Sequence, residues 1–434
     1  MSALWRNWSG LESVTPARVV RPKGANETAG AVLDAVRDGL PVKAIGAGHS
    51  FTGAALAPGV QLDMSAMSGL VSYDPGARQV TVGAGTYLYD MPPMLSKLGL
   101  AMANLGDIDR QTVAGALSTG THGTGTRFGG LATQATAMTV ATADGELRKF
   151  SKTRDPREWP AIALAVGSLG VLIDVTIQCV PAFKLHAVEA PEPLDDVLGD
   201  FRSRCTGADH FEFYWFPHTA TALTKTNTRV PVDAPGEALP GMRRWVDDEV
   251  VSNAVYSLTC RLGSAVPIAV PRINRLAGRL LGHRDFTDAS SSVFTTPRRV
   301  RFREMEYALP REVVPDAVRR IRELIDSKGW RISFPVEVRT AAPDDLWLST
   351  AYGRDTGYIA VHRYLREDHR EYFAAVEDIF REFGGRPHWG KLHTRSAADL
   401  RELYPHFDDF LAVRDALDPG RVFANPYLRQ IFGT

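Results

Sequence analysis

The chain has 434 residues, with 50 basic and 50 acidic side chains, so its formal net charge is zero. No long run of like charge occurs, which argues against a nucleic-acid-binding surface or an acidic tail. Its composition, 44% hydrophobic and 23% charged, is typical of a globular protein. The chain is longer than a domain with a single hydrophobic core usually is, so we expect two domains or one composite unit.

Cysteine spacing and apolar runs indicate the compartment. Cys179, Cys205 and Cys260 are few, distant and without CxxC spacing, which is typical of a reducing compartment rather than a disulfide framework or a cysteine-ligated zinc site. The longest apolar run, residues 161–173, is shorter than the roughly 20 residues of a membrane span. The first ten residues lack the apolar segment of a secretory signal. We expect a cytoplasmic protein without a transmembrane segment and with at most a loose membrane association.

The first part of the chain alternates strands and helices. Asn26 is a plausible N-cap for a helix whose inner face would include Val32, Leu33 and Val36 and which Gly39 would end. The predicted elements that follow are strands at 41–46, 60–64 and 79–86, a helix over 88–98, a hairpin over 135–149 and a buried strand within 168–180.

The pattern of the sequence changes near residues 178–184, where we place a domain boundary. The predicted elements beyond it are strands at 211–216, 301–309 and 331–340, and helices at 313–327 and 366–383, with an irregular stretch after Pro387 and a helix and turn within 410–428. Hairpins mixed with helices favour an α+β fold over a doubly wound sheet.

The stretch Ala44-Ile-Gly-Ala-Gly-His-Ser-Phe51 is the first candidate for a binding site. It follows a predicted strand, as a dinucleotide fingerprint would, but lacks the third glycine and the helix that GxGxxG requires. Its glycines instead predict exposed backbone N–H groups that form an anion-binding concavity. The alternative, simple turn chemistry, remains open for this loop taken alone.

A second glycine-rich loop spans residues 113–125. It has the GxxxxG spacing of a P-loop, but Thr121 stands where the essential lysine would be. Its glycines, threonines and serine offer neutral donors that suit a pyrophosphate. Two such loops favour a dinucleotide, and FAD fits better than NAD because the Rossmann pattern is missing. His49 and His122 lack neighbouring metal ligands in the sequence, as do His388 and His393, so we expect no metal site.

Two polar motifs lie in the second half. Glu337 and Arg339 are two residues apart on a predicted strand, so both side chains leave the same face. They form either an enclosed carboxylate–cation pair or a surface ion pair of little energetic value. In the motif Arg386-Pro-His-Trp-Gly-Lys391, His388 and Lys391 could serve as a base or as cationic stabilisers, and Trp389 could shield them from water. A structured loop without chemistry is equally compatible with this motif.

The motifs GAGHSF, VAGALSTGTHGTG, EVR and HWGK, in this order, resemble the aldonolactone oxidoreductases among the vanillyl-alcohol-oxidase-type flavoproteins. The resemblance covers essentially the whole chain and implies a two-lobed α+β fold with an FAD-binding PCMH-type lobe and a substrate lobe. It implies an FAD-binding domain at 1–180, a substrate (cap) domain at 181–395, and a C-terminal segment, 396–434, that rejoins the FAD-binding domain.

The resemblance also implies FAD as cofactor. In such families the histidine of the GHS motif, here His49, often carries a covalent bond to the flavin 8α carbon, although some relatives lack that bond. The implied cofactor-binding residues are Ala44, Ile45, Gly46, Ala47, Gly48, His49, Ser50, Phe51, Asp107, Thr112, Gly115, Ala116, Ser118, Thr119, Gly120, Thr121, His122, Gly123 and Val171.

The implied reaction is oxidation of a secondary alcohol of a sugar-derived 1,4-lactone, of the L-gulono or D-arabinono type, by hydride transfer to flavin N5. Glu337 and Arg339 match the pair that grips the substrate, Lys391 matches a cation near the flavin, and His388 lies in the same loop. The electron acceptor would be dioxygen, a redox protein or a quinone. The alternatives are an alditol oxidase acting on polyols such as xylitol or sorbitol and, more remotely, a non-catalytic flavin-binding protein.

Overall fold

The N-terminal region contains two sheets that meet around short helices. The structure, a computed structural model, describes residues 3–239, 256–280, 282–296 and 300–433. The strands of this region are β1 (Trp5–Arg6), β2 (Ser13–Val14), β3 (Arg18–Val20), β4 (Val42–Ile45), β5 (Val60–Asp63), β6 (Leu70–Asp74), β7 (Gln79–Gly83), β8 (Leu100–Ala101), β9 (Ala135–Ala141), β10 (Leu147–Ser151) and β11 (Val171–Gln178). Its helices are α1 (Ala25–Arg37), α2 (Met91–Ser96), α3 (Val113–Ser118) and α4 (Trp159–Ile162).

The two main sheets differ in strand direction. Strands β3, β5 and β4 form a parallel sheet in that order, whereas the five-stranded sheet, in the order β10-β9-β11-β7-β6, is antiparallel. The predicted hairpin over 135–149 is present as β9 and β10. The predicted helix over 88–98 is shorter, because a 3-10 turn precedes α2 and a turn follows it.

Two details of α1 correct the prediction. The residue at the N-cap is Gly24 rather than Asn26. Val32 is buried, but Leu33 and Val36 are 47% and 41% exposed, because the helix packs on the sheet through a stripe of smaller residues that includes Ala31 and Ala35. The predicted stop at Gly39 has a φ of +66°, as a helix C-terminus favours.

The central region is dominated by one antiparallel sheet with the order β16-β13-β15-β14-β18-β19-β17-β20. The strands are β12 (Val180–Pro181), which pairs with β8, β13 (Phe183–Pro193), β14 (His210–Trp215), β15 (Thr221–Pro231), β16 (Arg284–Ala289), β17 (Phe302–Pro310), β18 (Val336–Ala341), β19 (Thr356–Tyr364) and β20 (Arg386–Pro387). The helices are α5 (Leu194–Gly199), α6 (Phe201–Gly207), α7 (Tyr256–Ala265), α8 (Val270–Leu280), α9 (Ser290–Phe294), α10 (Val314–Lys328) and α11 (Arg370–Glu382). No helix among the described residues combines the length and apolarity needed to cross a bilayer.

Strict alternation along the central strands gives the sheet two different faces. Phe213 of β14, Tyr307 of β17 and Val338 of β18 point to one face, where they form a core with α10 and α11. The residues between them point to the opposite face and include many charged side chains. The apolar face fixes the register, and the charged residues are therefore held in fixed positions on the other face.

The C-terminal tail packs onto the N-terminal region. Its helices are α12 (Ala397–Leu403), α13 (Phe407–Leu417) and α14 (Pro426–Phe432), and their aromatic residues share one hydrophobic cluster with strands β7, β9 and β11. The ammonium of Lys43, in β4, donates to the carbonyls of Gly167 (2.7 Å) and Phe423 (3.3 Å). This packing supports our proposed division at 1–180, 181–395 and 396–434.

Candidate active site

A cleft opens at the end of strand β4. Its walls come from six stretches of the N-terminal region and from the tail, which contributes Phe423. The lining residues are Lys43, Ala44, Ile45, Gly46, Ala47, Gly48, His49, Ser50, Ala54, Ala55, Met64, Ala84, Gln111, Thr112, Ala114, Gly115, Ser118, Thr119, Val166, Gly167, Gly170, Leu172 and Phe423. We call this set the cofactor cleft.

The cofactor cleft contains most of the predicted cofactor-binding residues. All seven positions from Ala44 to Ser50 line it, together with Thr112, Gly115, Ser118 and Thr119. The predicted residues that do not line it are Phe51, Asp107, Ala116, Gly120, Thr121, His122, Gly123 and Val171. Ala116 and Val171 face the core, and Asp107 accepts a hydrogen bond from the Thr296 hydroxyl, which explains why these three lie outside the cleft.

The second glycine loop is partly helical, which corrects the sequence analysis. Residues 113–118 form α3, and the hydroxyl of Thr112 caps this helix by accepting from the Gly115 N–H. Only the remainder, from Thr119, is loop. Helix formation turns Ala116 and Leu117 into the core and leaves Gly115, Ser118 and Thr119 at the cleft wall.

Two glycines of the cleft, Gly46 and Gly170, leave no room for a Cβ. A Cβ on Gly46 would lie 2.1 Å from Oγ1 of Thr112, and one on Gly170 would lie 2.4 Å from Cγ1 of Val140. Gly48 and Gly170 also have φ values of +66° and +152°, which residues with a side chain rarely adopt. Glycine at position 46 therefore lets the chain after β4 pack closely against Thr112, at the start of α3.

Neutral groups dominate the chemistry of the cleft. Lys43 is the lining residue with an ammonium group, but that group is already bonded to two carbonyls. Burial lowers the pKa of Lys43 to about 7, against the opposing effect of Asp418. The hydroxyls of Ser50, Ser118 and Thr119 and the backbone N–H groups of the glycine segments remain as donors. This donor set fits a pyrophosphate held without a dedicated cation.

His49 presents an unpaired nitrogen at the edge of the cofactor cleft. Its Nδ1 is buried and has no hydrogen-bond partner among the described residues. The ring stacks on Trp8, with centroids 5.6 Å apart and planes 17° apart. Burial lowers the pKa of His49 to about 4, so the ring is neutral at pH 7 and keeps a nucleophilic nitrogen lone pair. These features fit the covalent attachment of a flavin.

The second half of the candidate site is a cluster of charged side chains on the polar face of the central sheet. It contains Glu212, Tyr214, Glu304, Glu306, Glu337, Arg339, Tyr358 and His362 from the sheet, and His122, His388 and Lys391 from loops. We call it the charged cluster. All of these residues except Lys391 are buried.

Arg339 is the centre of one network in the charged cluster. It lies 2.5 Å from Oε1 of Glu337 and donates to Oε2 of Glu212 at 2.8 Å and to the Tyr214 hydroxyl at 3.2 Å. Glu337 and Arg339 thus share a face, as predicted, and form a buried pair, so the surface ion-pair alternative is wrong. The two strands that supply this network are adjacent, because β14 pairs with β18.

The charges of this network are unequally compensated. Burial raises the pKa of Glu337, and Glu212 and Asp107 add to the rise, whereas Arg339 opposes it. Burial would lower the pKa of Arg339, but the carboxylates outweigh it and hold the pKa well above its ordinary value. Arg339 is therefore a permanent cation, and Glu337 is a better proton acceptor than an exposed glutamate.

Lys391 and Glu304 form a second network. The ammonium donates to Oε2 of Glu304, and Nε2 of His362 lies 3.5 Å from Oε1 of the same carboxylate. Burial raises the pKa of Glu304, but Lys391 and His362 outweigh it and bring the pKa to about 2. Burial lowers the pKa of Lys391, but Glu304 and Glu306 outweigh it, so the net shift is upward. Lys391 therefore holds its proton at neutral pH.

His122 and Glu306 form a third network. Nε2 of His122 lies 3.3 Å from Oε1 of Glu306, and Nδ1 lies 2.9 Å from the carbonyl of Gly123. Both neighbours are acceptors, so both nitrogens can donate only when the ring is a cation. Burial raises the pKa of Glu306, but His122 outweighs it and the pKa falls well below its usual range. The ring stacks on Tyr358 at 3.5 Å between centroids.

The charged cluster also contains a triad with metal-like spacing. The ligand atoms of His122, Glu306 and His388 lie within 4.8 Å of one another. The expectation that these histidines lack a nearby carboxylate is therefore wrong, because β17 supplies Glu306 from a distant part of the sequence. Both ring nitrogens of His122 already face acceptors, so we interpret the triad as a hydrogen-bonded cluster beside the neutral ring of His388. His393 lies apart and hydrogen-bonds the Tyr427 hydroxyl at 2.9 Å.

The loop of residues 388–391 joins the charged cluster to the cofactor cleft. The Phe51 N–H donates to the carbonyl of Gly390 at 2.7 Å, and the Thr52 hydroxyl donates to the carbonyl of Trp389 at 3.0 Å. The Lys391 ammonium lies 5.3 Å above the Phe51 ring. Trp389 is completely buried and donates to the carbonyl of Leu348, so it anchors the loop in the core rather than shielding the site from water, which corrects the prediction.

The sequence matches known families along most of its length. Residues 16–151 match an FAD binding domain, and residues 175–431 match D-arabinono-1,4-lactone oxidase. The chain belongs to the D-arabinono-1,4-lactone oxidase family. The expected cofactor, FAD, and the expected class, a flavoprotein oxidoreductase, are confirmed.

Individual relatives of this family align with the full chain. An L-gulono-1,4-lactone dehydrogenase of Mycobacterium tuberculosis is 42% identical over 433 residues, which cover 100% of both chains. An L-gulonolactone oxidase of Bos taurus is 32% identical and covers 99% of this chain and 98% of its own. An alditol oxidase of a Streptomyces species is 30% identical, with 99% of each chain covered.

A solved structure shows the same fold. The cholesterol oxidase from B. sterolicum superposes with a TM-score of 0.84 at 19% identity, covering 99% of this chain and 96% of the other. The predicted two-lobed α+β fold of the vanillyl-alcohol-oxidase type is therefore confirmed.

Several residues of the charged cluster were not predicted as site residues from the sequence. Glu304 and Glu306 alternate with Met305 and Tyr307 within β17, a pattern that predicts two carboxylates on one face. Glu212 and Tyr214 alternate in the same way in the aromatic strand β14. These alternations were available as signals, but the pairing of the strands that brings them together was not.

Proposed function

We propose that the protein oxidises a secondary alcohol of a sugar-derived 1,4-lactone, of the L-gulono or D-arabinono type, with FAD as the hydride acceptor. The buried Glu337–Arg339 pair is the observation that carries this proposal, because a neutral, polyhydroxylated substrate needs both an acceptor and a donor in fixed positions. Family membership and the named relatives support the choice of a lactone. Bound FAD would supply the two-electron redox chemistry, which no side chain of the site provides.

Glu337 and Arg339 would bind the substrate hydroxyls. Both contacts that Glu337 makes, with Arg339 and with the Tyr214 hydroxyl, end on Oε1. Within the described part of the chain, Oε2 of Glu337 is thus left to accept a hydrogen bond from a substrate hydroxyl. We assign Glu337 as the group that receives the hydroxyl proton, since its raised pKa favours proton uptake.

His388 is less suited to that role. Its Nδ1 accepts a hydrogen bond from the Gly390 N–H at 3.0 Å, so a neutral ring carries its proton on Nε2. Burial lowers the pKa of His388 to about 3, so the ring stays neutral and has no lone pair facing the cluster. We propose that His388 donates a hydrogen bond rather than acting as the general base.

Lys391 would supply positive charge between the two halves of the site. It contacts Glu304 in the charged cluster and the Phe51 ring beside the GHS motif. A fixed ammonium stabilises negative charge that develops near it during a reaction, since it needs no reorganisation. We therefore propose Lys391 as an electrostatic catalyst.

We further propose that FAD is attached covalently through Nδ1 of His49, the orphaned nitrogen of the cofactor cleft. The test is denaturation of the flavin-containing protein followed by separation of protein from small molecules. Flavin that stays on the polypeptide, and is released in His49→Ala, supports the bond. Complete release from the unaltered protein contradicts it.

The alternative substrate is a polyol such as xylitol or sorbitol, which the 30% identity to an alditol oxidase favours. The experiment is an anaerobic absorbance scan of the FAD-loaded protein. Bleaching of the flavin band by L-gulono-1,4-lactone but not by xylitol supports the lactone. The reverse supports the alditol, and bleaching by neither supports a non-catalytic flavin-binding protein.

The electron acceptor and the location in the cell are parts of the same proposal. We propose a cytoplasmic enzyme whose acceptor is dioxygen, a redox protein or a quinone. Turnover of L-gulono-1,4-lactone measured in air and under nitrogen with an added dye distinguishes these acceptors. Equal rates favour a redox protein or quinone, whereas turnover that requires air favours dioxygen.

A further inference from the structure

A series of alternating charges crosses five adjacent strands of the central sheet and ends at Arg339. The strands β16, β13, β15, β14 and β18 are neighbours in that order. Each strand contributes one charged side chain, and in the same order these are Arg284, Glu189, Lys225, Glu212 and Arg339. The proposed reaction uses only the last of them. We call these five residues the charge ladder.

Direct cross-strand pairing fixes the outer part of the charge ladder. Glu189 lies opposite Arg284 on one neighbouring strand and opposite Lys225 on the other. Lys225 in turn lies opposite Glu212. Its ammonium is 3.7 Å from Oε1 of Glu189 and 3.8 Å from Oε1 of Glu212. Opposite charges that face each other on one side of a sheet stabilise the pairing of the strands, so Lys225 holds both carboxylates in place.

The charge ladder becomes more buried toward Arg339. The exposed fraction of the side chain falls from 27% at Arg284 to 15% at Lys225, 11% at Glu212 and 10% at Arg339. Charge pairs that water reaches poorly are screened less than exposed pairs. Removing one partner of a buried pair also leaves an uncompensated charge behind. The inner contacts of the ladder should therefore influence the site more than the outer ones.

Glu212 holds the guanidinium of Arg339 at one end. Nε of Arg339 donates to Oε2 of Glu212 at 2.8 Å, while Nη2 lies 2.5 Å from Oε1 of Glu337. A guanidinium is planar and rigid, so two fixed nitrogens also fix the third. That third nitrogen, Nη1, makes no hydrogen bond among the described residues. It is thus held in place and can donate to a substrate hydroxyl without first giving up a protein partner.

We propose that Glu212 is a positioning residue, held by Lys225, which orients Arg339 toward the substrate and keeps Glu337 available as a proton acceptor. Without Glu212, Arg339 could turn two nitrogens onto Glu337, as arginine and carboxylate groups do in two-pronged pairs. Oε2 of Glu337 would then be occupied, and Nη1 of Arg339 would no longer face the substrate. This inference rests on the proposed roles of Glu337 and Arg339.

The charge ladder also affects the pKa of Glu337. The charged and titratable groups that face Glu337 are Arg339 on its own strand, Glu212 and Tyr214 on β14, His362 on β19, and Asp107 and Lys391 on loops. Burial raises the pKa of Glu337 most, Glu212 raises it further, and Arg339 lowers it. Removing Glu212 should therefore lower this pKa. Removing Lys225, which partly neutralises Glu212, should raise it, so the two substitutions have opposite effects.

The test compares pH profiles of kcat/KM, because their acidic limb reports the pKa of the base in the free enzyme. The FAD-loaded, full-length protein is assayed with a soluble dye and with whichever of L-gulono-1,4-lactone and xylitol reduces its flavin. In Glu212→Gln we expect the acidic limb to move to lower pH. The plateau above the limb should fall about 10²-fold, since a misplaced substrate donor costs about that much. Flavin content should match that of the unaltered protein.

Two further variants separate charge from contact. Lys225→Met should move the acidic limb to higher pH and lower the plateau about fivefold at most, because a partly exposed pair is weak. Glu212→Asp keeps the charge but is one methylene too short to reach Nε of Arg339. Its plateau should fall, while its acidic limb should move less than that of Glu212→Gln. If Glu212→Gln does not fold, the direction of the shift in Lys225→Met decides the proposal.

The matched control is Glu192→Gln, which removes a carboxylate from the same strand as Glu189. Glu192 points to the opposite face and pairs with Arg204. This control should keep the plateau and the acidic limb of the unaltered protein.

The proposal is overturned if the plateau of Glu212→Gln is normal, if Glu212→Gln and Lys225→Met leave the limb in place or move it in the same direction, or if the control changes as much as Glu212→Gln. A flavin that neither substrate reduces in the unaltered protein would instead contradict the proposed function, on which this inference rests.

Discussion

The cofactor cleft and the charged cluster differ in the charge of the ligand that each would bind and in the charge of the groups that would bind it. The cleft fits a doubly charged pyrophosphate with glycines, hydroxyls and backbone N–H groups, and Lys43, its one ammonium, is bonded to carbonyls. The cluster would bind an uncharged polyol or lactone, yet it brings together four buried glutamates, namely Glu212, Glu304, Glu306 and Glu337.

The contrast shows what buried charge does in this protein. The charges of the cluster compensate one another in part, since Arg339 faces both Glu212 and Glu337 and Lys391 pairs with Glu304. What remains is a set of rigid donors and acceptors for hydroxyl groups, with Lys391 as fixed positive charge. The cleft does not need ion pairs to hold its donors in place, because these donors belong largely to the backbone, which is already fixed.

The largest effect should come from removing the centre of the charged cluster. Arg339→Met leaves Glu212 and Glu337 buried without their cation and removes a substrate donor, so kcat/KM should fall about 10³-fold or more. Arg339→Lys keeps the charge but loses the two-pronged contact, and should be intermediate. Steady-state kinetics and the ratio of flavin to protein absorbance measure both effects, and flavin content should be unchanged.

The matched control is Arg370→Met, which removes an arginine from the exposed pair with Asp368. Its kcat/KM should equal that of the unaltered protein. Near-normal turnover in Arg339→Met would remove this residue from the site, and loss of flavin in the same variant would mean that the two halves are not separable.

The next effect should separate the cleft from the cluster. Gly46→Ala places a Cβ 2.1 Å from Oγ1 of Thr112, so FAD affinity should fall by about 2 kcal/mol or more while the protein remains folded. Gly30→Ala, where nothing lies within 4 Å, is the control and should bind FAD normally. Titration of the apoprotein with FAD measures this, and equal affinities in both variants would contradict the tight approach at Gly46.

A smaller effect should come from Glu304→Gln. Glu304 opposes the burial that lowers the pKa of Lys391, so its loss should move the alkaline limb of the kcat/KM profile to lower pH and cost about 10²-fold at most. The exposed Glu382→Gln, which breaks only a surface pair with Arg320, should leave the profile unchanged. An unshifted alkaline limb in Glu304→Gln would show that Lys391 does not control it.

The smallest effect concerns stability in acid. Burial lowers the pKa of His210 to about 4 and that of His393 to about 3, against ordinary values near 6.5. The unfolded chain then binds more protons below pH 6.5, so stability falls with pH from 6.5 toward 4.5 by about 1.4 kcal/mol per unit for each such histidine. Urea unfolding across this range should show a shallower slope in His210→Gln, and an unchanged slope would mean that His210 is charged in the folded protein.

The two regions also differ in how well the sequence predicts them. Most of the cleft comes from two short stretches, since residues 44–50 cover the end of β4 and the loop after it, and Thr112 to Thr119 surround one short helix. Glycine patterns and resemblance therefore located it. Its remaining walls, such as Gly167 and Phe423, come from distant segments that carry no recognisable pattern.

The charged cluster was only partly predictable, because the local sequence pattern of a strand does not determine which strands lie next to it in the sheet. The two-residue spacing of Glu337 and Arg339 predicted a shared face, and the structure places them so. Their neighbours Glu212 and Glu304 lie more than 90 residues apart in sequence but on strands of one sheet. The prediction for helix α1 was wrong for a different reason. Its inner face was assigned to the most hydrophobic side chains, whereas alanines allow the helix to approach the sheet more closely.

The most direct test of the central claim is anaerobic reduction of bound flavin by L-gulono-1,4-lactone in the unaltered protein and in Glu337→Gln. We predict rapid bleaching of the flavin band in the unaltered protein and bleaching slowed by about 10³-fold in Glu337→Gln at equal flavin content. Equal bleaching rates in the two proteins would contradict the assignment of Glu337, and no bleaching of the unaltered protein by this lactone or by D-arabinono-1,4-lactone would contradict the proposed function.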